Sequence, residues 1–127
     1  MAGKSMHIFI VDDDEMLTTM LSDHLSQNEN FKISAFQTGE DCIENLHQQP
    51  DVIILDYYLN SVDPDAEDGL SILEKIKKQD KQAFVIFLSA QNNYSTALQS
   101  IAKGAFEYVM KDEQSFSKID SILESLS

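Results

Sequence analysis

Five polar side chains that directly follow apolar runs could together carry phosphoryl-transfer chemistry. They are Asp12, Asp13, Asp56, Ser89 and Lys111. Carboxylates held ~4–5 Å apart repel each other by roughly 3–4 kcal/mol per pair at a surface-like dielectric, and a bound divalent cation would remove that cost. Oxygen ligands suit Mg²⁺, which keeps several waters and accepts a phosphoryl oxygen. With a lysine and a hydroxyl nearby, one aspartate could act as the nucleophile.

The segments before these residues predict parallel β-strands. Near-continuous apolar runs at 6–11, 51–55 and 83–88 are typical of strands buried on both faces. The alternating segments 31–35 and 106–110 predict half-exposed edge strands. Three interior and two edge strands therefore make up the expected sheet.

Apolar residues at helical spacing lie between and after these strands. They mark five helices, of which the second carries Cys42, Ile43 and Leu46 and stops before Pro50, while Gly104 closes the fourth. Strict alternation of strand and helix predicts right-handed crossovers and a parallel sheet covered on both faces. We therefore expect one domain over residues 1–127, an α/β, flavodoxin-like (βα)5 doubly wound five-stranded parallel sheet in the order 2-1-3-4-5.

In that order, the polar residues converge near the switch point between strands one and three. Taken singly, each has a simpler explanation: the acids after strand one could cap a helix, and Ser89 could cap another. Lys111 could be a solvated charge, and Tyr108 could be ordinary packing. The simpler explanations do not predict that polar residues occur together at the strand ends, so the joint pattern favours a site.

Composition limits the possible partners and compartments. Nine basic and twenty-two acidic residues among 127 give a net charge of −13, which disfavours direct nucleic-acid binding. The single Cys42 excludes an internal disulfide, and no apolar run resembles a membrane span or a signal peptide. These features predict a soluble cytoplasmic protein without membrane contact.

The chain resembles the receiver domain of two-component response regulators over essentially its whole length. The resemblance is carried by Val11-Asp12-Asp13, Leu55-Asp56, Asp68-Gly69, Leu88-Ser89-Ala90 and the segment from Gly104 to Lys111. It implies a phospho-accepting signalling module of a phosphorelay, which takes its phosphoryl group from a sensor histidine kinase or a phosphotransfer protein. The downstream effector stays unidentified, and both a monomer and a phosphorylation-dependent dimer remain open.

The resemblance also implies a role for each matching residue. Asp56 would be the phospho-acceptor, while Asp13 and Asp56 would ligate Mg²⁺ directly. Tyr58 would supply a backbone carbonyl to the metal, and Asp12 would act mostly through water.

The remaining matched residues would hold and report the phosphoryl group. Lys111 would bind a phosphoryl oxygen and pair with Asp56 before phosphorylation. Ser89 and Tyr108 match the switch pair, with the fourth helix, fifth strand and fifth helix as the readout face.

Three features depart from the family pattern. Leu59-Asn60 replaces the usual Met-Pro, and the loop 60–68 is longer and strongly acidic. Asp112 follows Lys111 where the family has a proline in a cis bond; a non-proline cis bond costs ~3 kcal/mol, so we expect either a trans bond or strain. Tyr58 and Gln91 flank the acceptor and the switch serine, and the resemblance implies that side chains at these positions tune how fast the phosphoryl group is lost.

Two other function classes fit parts of the pattern. An aspartate-nucleophile phosphatase would share the strand-end aspartate but needs a second carboxylate two residues later, where this chain has Tyr58. A degenerate receiver-like binding module would lack one of the acids or the lysine, all of which are present here.

Overall fold

Five parallel strands form one sheet in the order β2-β1-β3-β4-β5. The computed structural model describes residues 5–59, 67–91 and 93–127. The strands are β1 Met6–Val11, β2 Phe31–Phe36, β3 Val52–Asp56, β4 Phe84–Ser89 and β5 Glu107–Met110. The predicted strand order and the flavodoxin-like fold class are confirmed.

Five α-helices cover the two faces of the sheet, as the alternation predicts. They are α1 Glu15–Leu25, α2 Gly39–Glu44, α3 Gly69–Gln79, α4 Tyr94–Ala102 and α5 Ser115–Leu126. Gly104, with φ of 112°, follows the C-terminus of α4 in the left-handed region that favours glycine. In the described part of the chain, no helix has both the length and the apolar character needed to cross a bilayer.

The second helix is shorter than its apolar spacing predicts. It ends at Glu44, and Leu46–Gln48 form a 3₁₀ turn instead. The Asn45 side-chain amide donates to the Asp41 carbonyl at 2.8 Å, while the Asn45 backbone N–H bonds to Cys42. The side chain thus takes the carbonyl that a continuing α-helix would use, which tightens the last turn.

Strand β3 joins the two halves of the core, because all five of its residues are buried. Ile53 and Leu55 belong to the cluster that includes α3, whereas Val52 and Ile54 belong to the cluster that includes α1 and α5. Alternate residues of one strand therefore pack against opposite helical layers, which is why its sequence is apolar without interruption.

Apolar spacing predicts the helices better than it predicts what they bury. Met20 on α1 is exposed, and so are Tyr94, Leu98 and Ile101 on α4.

The peptide bond between Lys111 and Asp112 is trans, as are all peptide bonds among the described residues.

Cys42 should be chemically inert in the folded protein. Its side chain is fully buried, and burial raises the pKa of the thiol to about 12, so almost no thiolate exists at neutral pH. We expect a colorimetric thiol reagent to modify it at least about a hundredfold more slowly in the native protein than in urea, because reaction needs an opening of the core. A Ser121→Cys variant carries a second thiol on the exposed side of α5, and that thiol alone should react in the native protein at the rate of a free thiol. Rapid reaction of Cys42 in the unsubstituted native protein would contradict its burial.

Candidate functional site

Three aspartates meet where β1 and β3 end. The two strands are paired with Val11 opposite Leu55, so the residues that follow are neighbours. One carboxylate oxygen from each of Asp12, Asp13 and Asp56 lies within 4.8 Å of the others. Asp12 and Asp56 are only 2% and 3% exposed, while Asp13 is half-buried. The structure thus brings together the three acids that the sequence singled out.

The neighbouring Asp14 performs the capping role. Its side chain accepts hydrogen bonds from the backbone N–H groups of Met16 and Leu17 in the first turn of α1. Asp12 instead accepts from the Asp14 N–H at 2.9 Å, which fixes one carboxylate oxygen of Asp12 within the loop. One of three consecutive aspartates therefore caps the helix and leaves the other two at the strand end.

Lys111 brings positive charge to this acidic cluster. Its backbone N–H donates to the Ser89 carbonyl at 2.7 Å, which places the residue directly after β5. Its ammonium nitrogen lies 3.0 Å from Asp12 Oδ2 and 3.3 Å from Asp56 Oδ1. Burial alone would lower the pKa of Lys111, but Asp56 and Asp12 outweigh burial and raise it above its ordinary value. The lysine is therefore charged and is shared between two carboxylates.

Lys111 offsets only part of the unfavourable environment of a charged Asp56. Burial, followed by the negative charge of Asp12, raises the pKa of Asp56 from 3.8 to about 7, although Lys111 and the Tyr58 N–H act in the opposite direction. Asp12 Oδ2 is buried and, within the described ranges, accepts no well-directed hydrogen bond; the Lys111 ammonium is its ion-pair partner. A cluster of oxygen ligands with surplus negative charge fits a hard divalent cation such as Mg²⁺.

Gly69 allows α3 to begin against the end of β3. Its N–H donates to the Tyr57 carbonyl at 3.0 Å, and Asp68 caps the helix by accepting from the Ser71 N–H. A Cβ at Gly69 would lie 2.6 Å from the Asp56 carbonyl oxygen, closer than real Cβ atoms approach backbone. The Asp68-Gly69 pair, which the sequence offered only as a motif, thus supports the backbone of Asp56.

Ser89 and Tyr108 both contact the backbone of Gln91. Ser89 is fully buried, and its hydroxyl oxygen accepts from the Gln91 N–H at 3.2 Å. The Tyr108 hydroxyl donates to the Gln91 carbonyl at 3.0 Å, and its ring is half-buried. The sequence marks Gln91 only as a neighbour of the switch serine, because backbone hydrogen bonds leave no signal in residue type.

An open cleft of about 840 Å³ leads to the acids. Its lining includes Asp13, Asp56, Tyr58 and Lys111, but not Ser89. Tyr58 is half-buried, and its backbone N–H donates to Asp56 Oδ1 at 3.2 Å. Most of the acidic loop 60–68, namely residues 60–66, lies outside the described residues.

One wall of this cleft is not predicted from the sequence. The Gln37 side-chain amide donates to Glu15 Oε1 at 2.5 Å and joins the end of β2 to the first turn of α1. Both residues line the cleft. Both residues lie at the carboxyl edge of the predicted sheet, which is the sequence feature that could have placed them at the cleft. Gln and Glu are so common in loops that this position alone does not mark them as site residues.

The response regulator receiver domain family matches residues 8–124. This chain belongs to that family. The receiver domain is similar to chemotaxis protein CheY of Bacillus subtilis, with 28% identity over 121 residues that cover 94% of this chain and 93% of CheY. It is also similar to transcriptional regulatory protein CssR of the same organism, with 32% identity over 107 residues.

Solved structures agree with the fold of this receiver domain. The fluoroberyllate-activated receiver domain of DrrB is 29% identical, with a TM-score of 0.77 and coverage of 94% of this chain and 97% of DrrB. The receiver domain of NtrX from Brucella abortus has a TM-score of 0.81 at 24% identity, with coverage of 93% and 95%, and this likeness shows the fold. The match to CssR covers 84% of this chain but 45% of CssR, so the chain spans less than half the length of that relative.

The charge of Asp56 should make folding stability depend on pH. Since the pKa of Asp56 is higher in the folded than in the unfolded chain, the folded state binds the proton more tightly. Stability from this group is therefore full below about pH 4, falls as the pH rises to about 7, and stays reduced above that. Asp56→Asn removes the buried charge, so we expect the variant to gain on the order of 2 kcal/mol over the unsubstituted protein at pH 8 and little at pH 4.

Urea unfolding in EDTA at both pH values measures this difference. Asp23→Asn, which changes an exposed acid on α1, is the matched control and should show no such pH-dependent gain. A destabilised Asp56→Asn protein at pH 8, or an equal gain at both pH values, would contradict the expected burial of a charged Asp56.

Proposed function

We propose that this receiver domain carries out the Mg²⁺-dependent transfer of a phosphoryl group from a phosphohistidine of a partner to Asp56. The observation that supports this most directly is the buried Asp56 carboxylate, which lies in one cluster with Asp12 and Asp13 and 3.3 Å from the Lys111 ammonium. A nucleophile, a set of hard oxygen ligands and a cation are the components that phosphoryl transfer needs.

In the transfer, an Asp56 carboxylate oxygen forms a bond to phosphorus while the bond from phosphorus to the histidine nitrogen breaks. The electron pair of that bond returns to the imidazole, and Asp56 becomes an acyl phosphate. The approach of the donor is favoured because Lys111 offsets part of the negative charge that Asp56 and Asp12 present.

Receiver domains bind Mg²⁺ in an acidic pocket of this kind. Asp13 and Asp56 would ligate the ion directly, Tyr58 through its backbone carbonyl, and Asp12 mostly through water. When bound, Mg²⁺ supplies positive charge that neutralises the carboxylates and the phosphoryl oxygens.

After transfer, Lys111 would hold one phosphoryl oxygen and the Ser89 hydroxyl would turn to another. That turn would release the Gln91 N–H, whose neighbouring carbonyl holds the Tyr108 hydroxyl. The resulting change at α4, β5 and α5 would form the surface that an effector reads.

Response regulators receive phosphoryl groups from histidine kinases and act on effectors. For this chain we infer a cytoplasmic sensor histidine kinase or phosphotransfer protein as donor, and an effector whose identity stays open. The net charge of −13 argues against direct contact with nucleic acid, and the domain would act as a monomer or a phosphorylation-dependent dimer. It would catalyse only its own phosphorylation and dephosphorylation.

Magnesium should stabilise the folded protein. At a Mg²⁺ concentration ten times Kd, we expect the melting temperature to rise by about 3–6 °C, because the ion binds only the assembled acids. Asp13→Asn should lose most of the rise, whereas Asp23→Asn, a change on the exposed side of α1, should keep it. A rise that is unchanged in Asp13→Asn would remove that residue from the proposed ligands.

Phosphorylation should occur once per chain and only at Asp56. With Mg²⁺ and acetyl phosphate, intact-mass measurement should find one added phosphoryl group, which is lost in Asp56→Asn and retained in Asp23→Asn. Equal labelling of Asp56→Asn would rule out the assigned acceptor. Turnover of many phosphate esters per protein molecule would instead favour the aspartate-nucleophile phosphatase.

A further inference from the structure

The mouth of the cleft carries negative charge that the proposed transfer does not use. Asp14 and Glu15, at the start of α1, line the cleft that contains Asp56, and both are exposed. Lys111 is the one basic residue among the described residues of the lining. Asp14 has a structural task, because it caps α1. The carboxylate of Glu15 therefore needs an explanation of its own.

The Gln37 side-chain amide fixes the Glu15 carboxylate at the wall of the cleft. It donates to Glu15 Oε1 at 2.5 Å and connects the loop after β2 to the first turn of α1. Both side chains are exposed, and an exposed glutamate without such a bond would sample many rotamers in water. The hydrogen bond restricts this sampling and keeps the negative charge beside the opening.

A simpler role for Glu15 is stabilisation of its own helix. An acidic side chain in the first turn interacts favourably with the positive end of the helix dipole. That role needs no contact with another element, and it does not account for the hydrogen bond that ties Glu15 to a second residue of the cleft lining. The two roles differ in what they predict for phosphodonors of different charge.

The fixed charge of Glu15 acts on any phosphodonor that enters the cleft. A bound Mg²⁺ would offset the clustered carboxylates of Asp12, Asp13 and Asp56, but Glu15 lies outside that cluster. The field of an exposed charge extends over about one Debye length, about 10 Å at 0.1 M salt. A dianionic small donor such as acetyl phosphate is therefore repelled, whereas a donor with basic groups beside its phosphohistidine is attracted.

We propose that Glu15 is a specificity-determining residue that selects phosphodonors by charge, with Gln37 as its positioning residue. Glu15 slows phosphorylation by small anionic donors and favours a protein donor whose phosphohistidine is bordered by lysine or arginine side chains. The net charge of −13 acts in the same direction over the whole surface, and Glu15 adds to it at the cleft. This inference rests on the proposed function, because it names the class of donor for the same site.

The first test compares two synthetic phosphohistidine peptides, one with lysines and one with glutamates on both sides of the phosphohistidine. At low ionic strength with saturating Mg²⁺, the unsubstituted protein should accept the phosphoryl group about tenfold faster from the lysine peptide, and Glu15→Gln should narrow this preference to about threefold. Glu29→Gln is the matched control. It removes an equal charge from the turn before β2, at the opposite edge of the sheet, and should leave the preference unchanged.

The second test uses acetyl phosphate and follows the mass added at Asp56. Glu15→Gln should be labelled about threefold faster than the unsubstituted protein at low ionic strength, and the difference should vanish in about 0.5 M salt. Gln37→Ala releases the Glu15 carboxylate and should give a smaller gain in the same direction, on the order of 1.5-fold. In the double variant, Gln37→Ala should add nothing to Glu15→Gln, because the charge that Gln37 positions is gone.

Equal donor preferences in Glu15→Gln and Glu29→Gln would overturn selection by charge, and they are the result expected if Glu15 only stabilises α1. A further gain from Gln37→Ala in the double variant would overturn its positioning role. In both cases, labelling of the unsubstituted protein at Asp56 leaves the proposed function standing. Absence of labelling by the peptides and by acetyl phosphate is a failure of the proposed function itself.

Discussion

Repulsion between buried carboxylates is the constraint on which the carboxyl edge of this sheet depends. Asp12 and Asp56 are almost fully buried, and a pair of like charges at 4 Å costs about 4 kcal/mol at an effective dielectric of 20. Lys111 is shared between them, yet burial and, after it, the negative charge of Asp12 raise the pKa of Asp56 in spite of the lysine. Folding tolerates this cost because the strands that deliver both acids are buried on their two faces.

Because side chains alternate along β3, the neighbouring residues Asp56 and Tyr57 lie on opposite faces of the sheet. Asp56 shares the face of Val52 and Ile54, while Tyr57 shares the face of Ile53 and Leu55. Asp56 therefore lies with the acidic cluster while the Tyr57 ring packs against Phe87 in the other layer, so the two side chains do not compete for space. Gly69 lies against the backbone at the end of β3. Because it has no side chain, α3 can begin in contact with that strand end.

The helices differ in how many apolar side chains they bury against the sheet. Helices α3 and α5 bury Ile72, Leu73, Ile76, Ile119 and Leu123, so they fix the sheet and its charged edge. Helix α4 buries only Ser100, and Asn93 caps its first turn by accepting from the Thr96 N–H. The segment before the helix is held where the Tyr108 hydroxyl donates to the Gln91 carbonyl. A rigid charged site beside a loosely held helix is an arrangement in which a small local change can alter the surface.

The sequence by itself determined the five strands, their order and the residues at their carboxyl ends. Long apolar runs and alternating segments report burial directly, and the connection rules leave few topologies. The tertiary structure alone decided that Asp14 caps α1, that α2 ends at Glu44 and that α4 exposes its apolar residues. It also placed Ser89 and Tyr108 on the two sides of Gln91, and it packed the Tyr57 ring against Phe87. These features depend on distances between atoms from different elements, whereas periodicity along a chain records only which face of one element is buried.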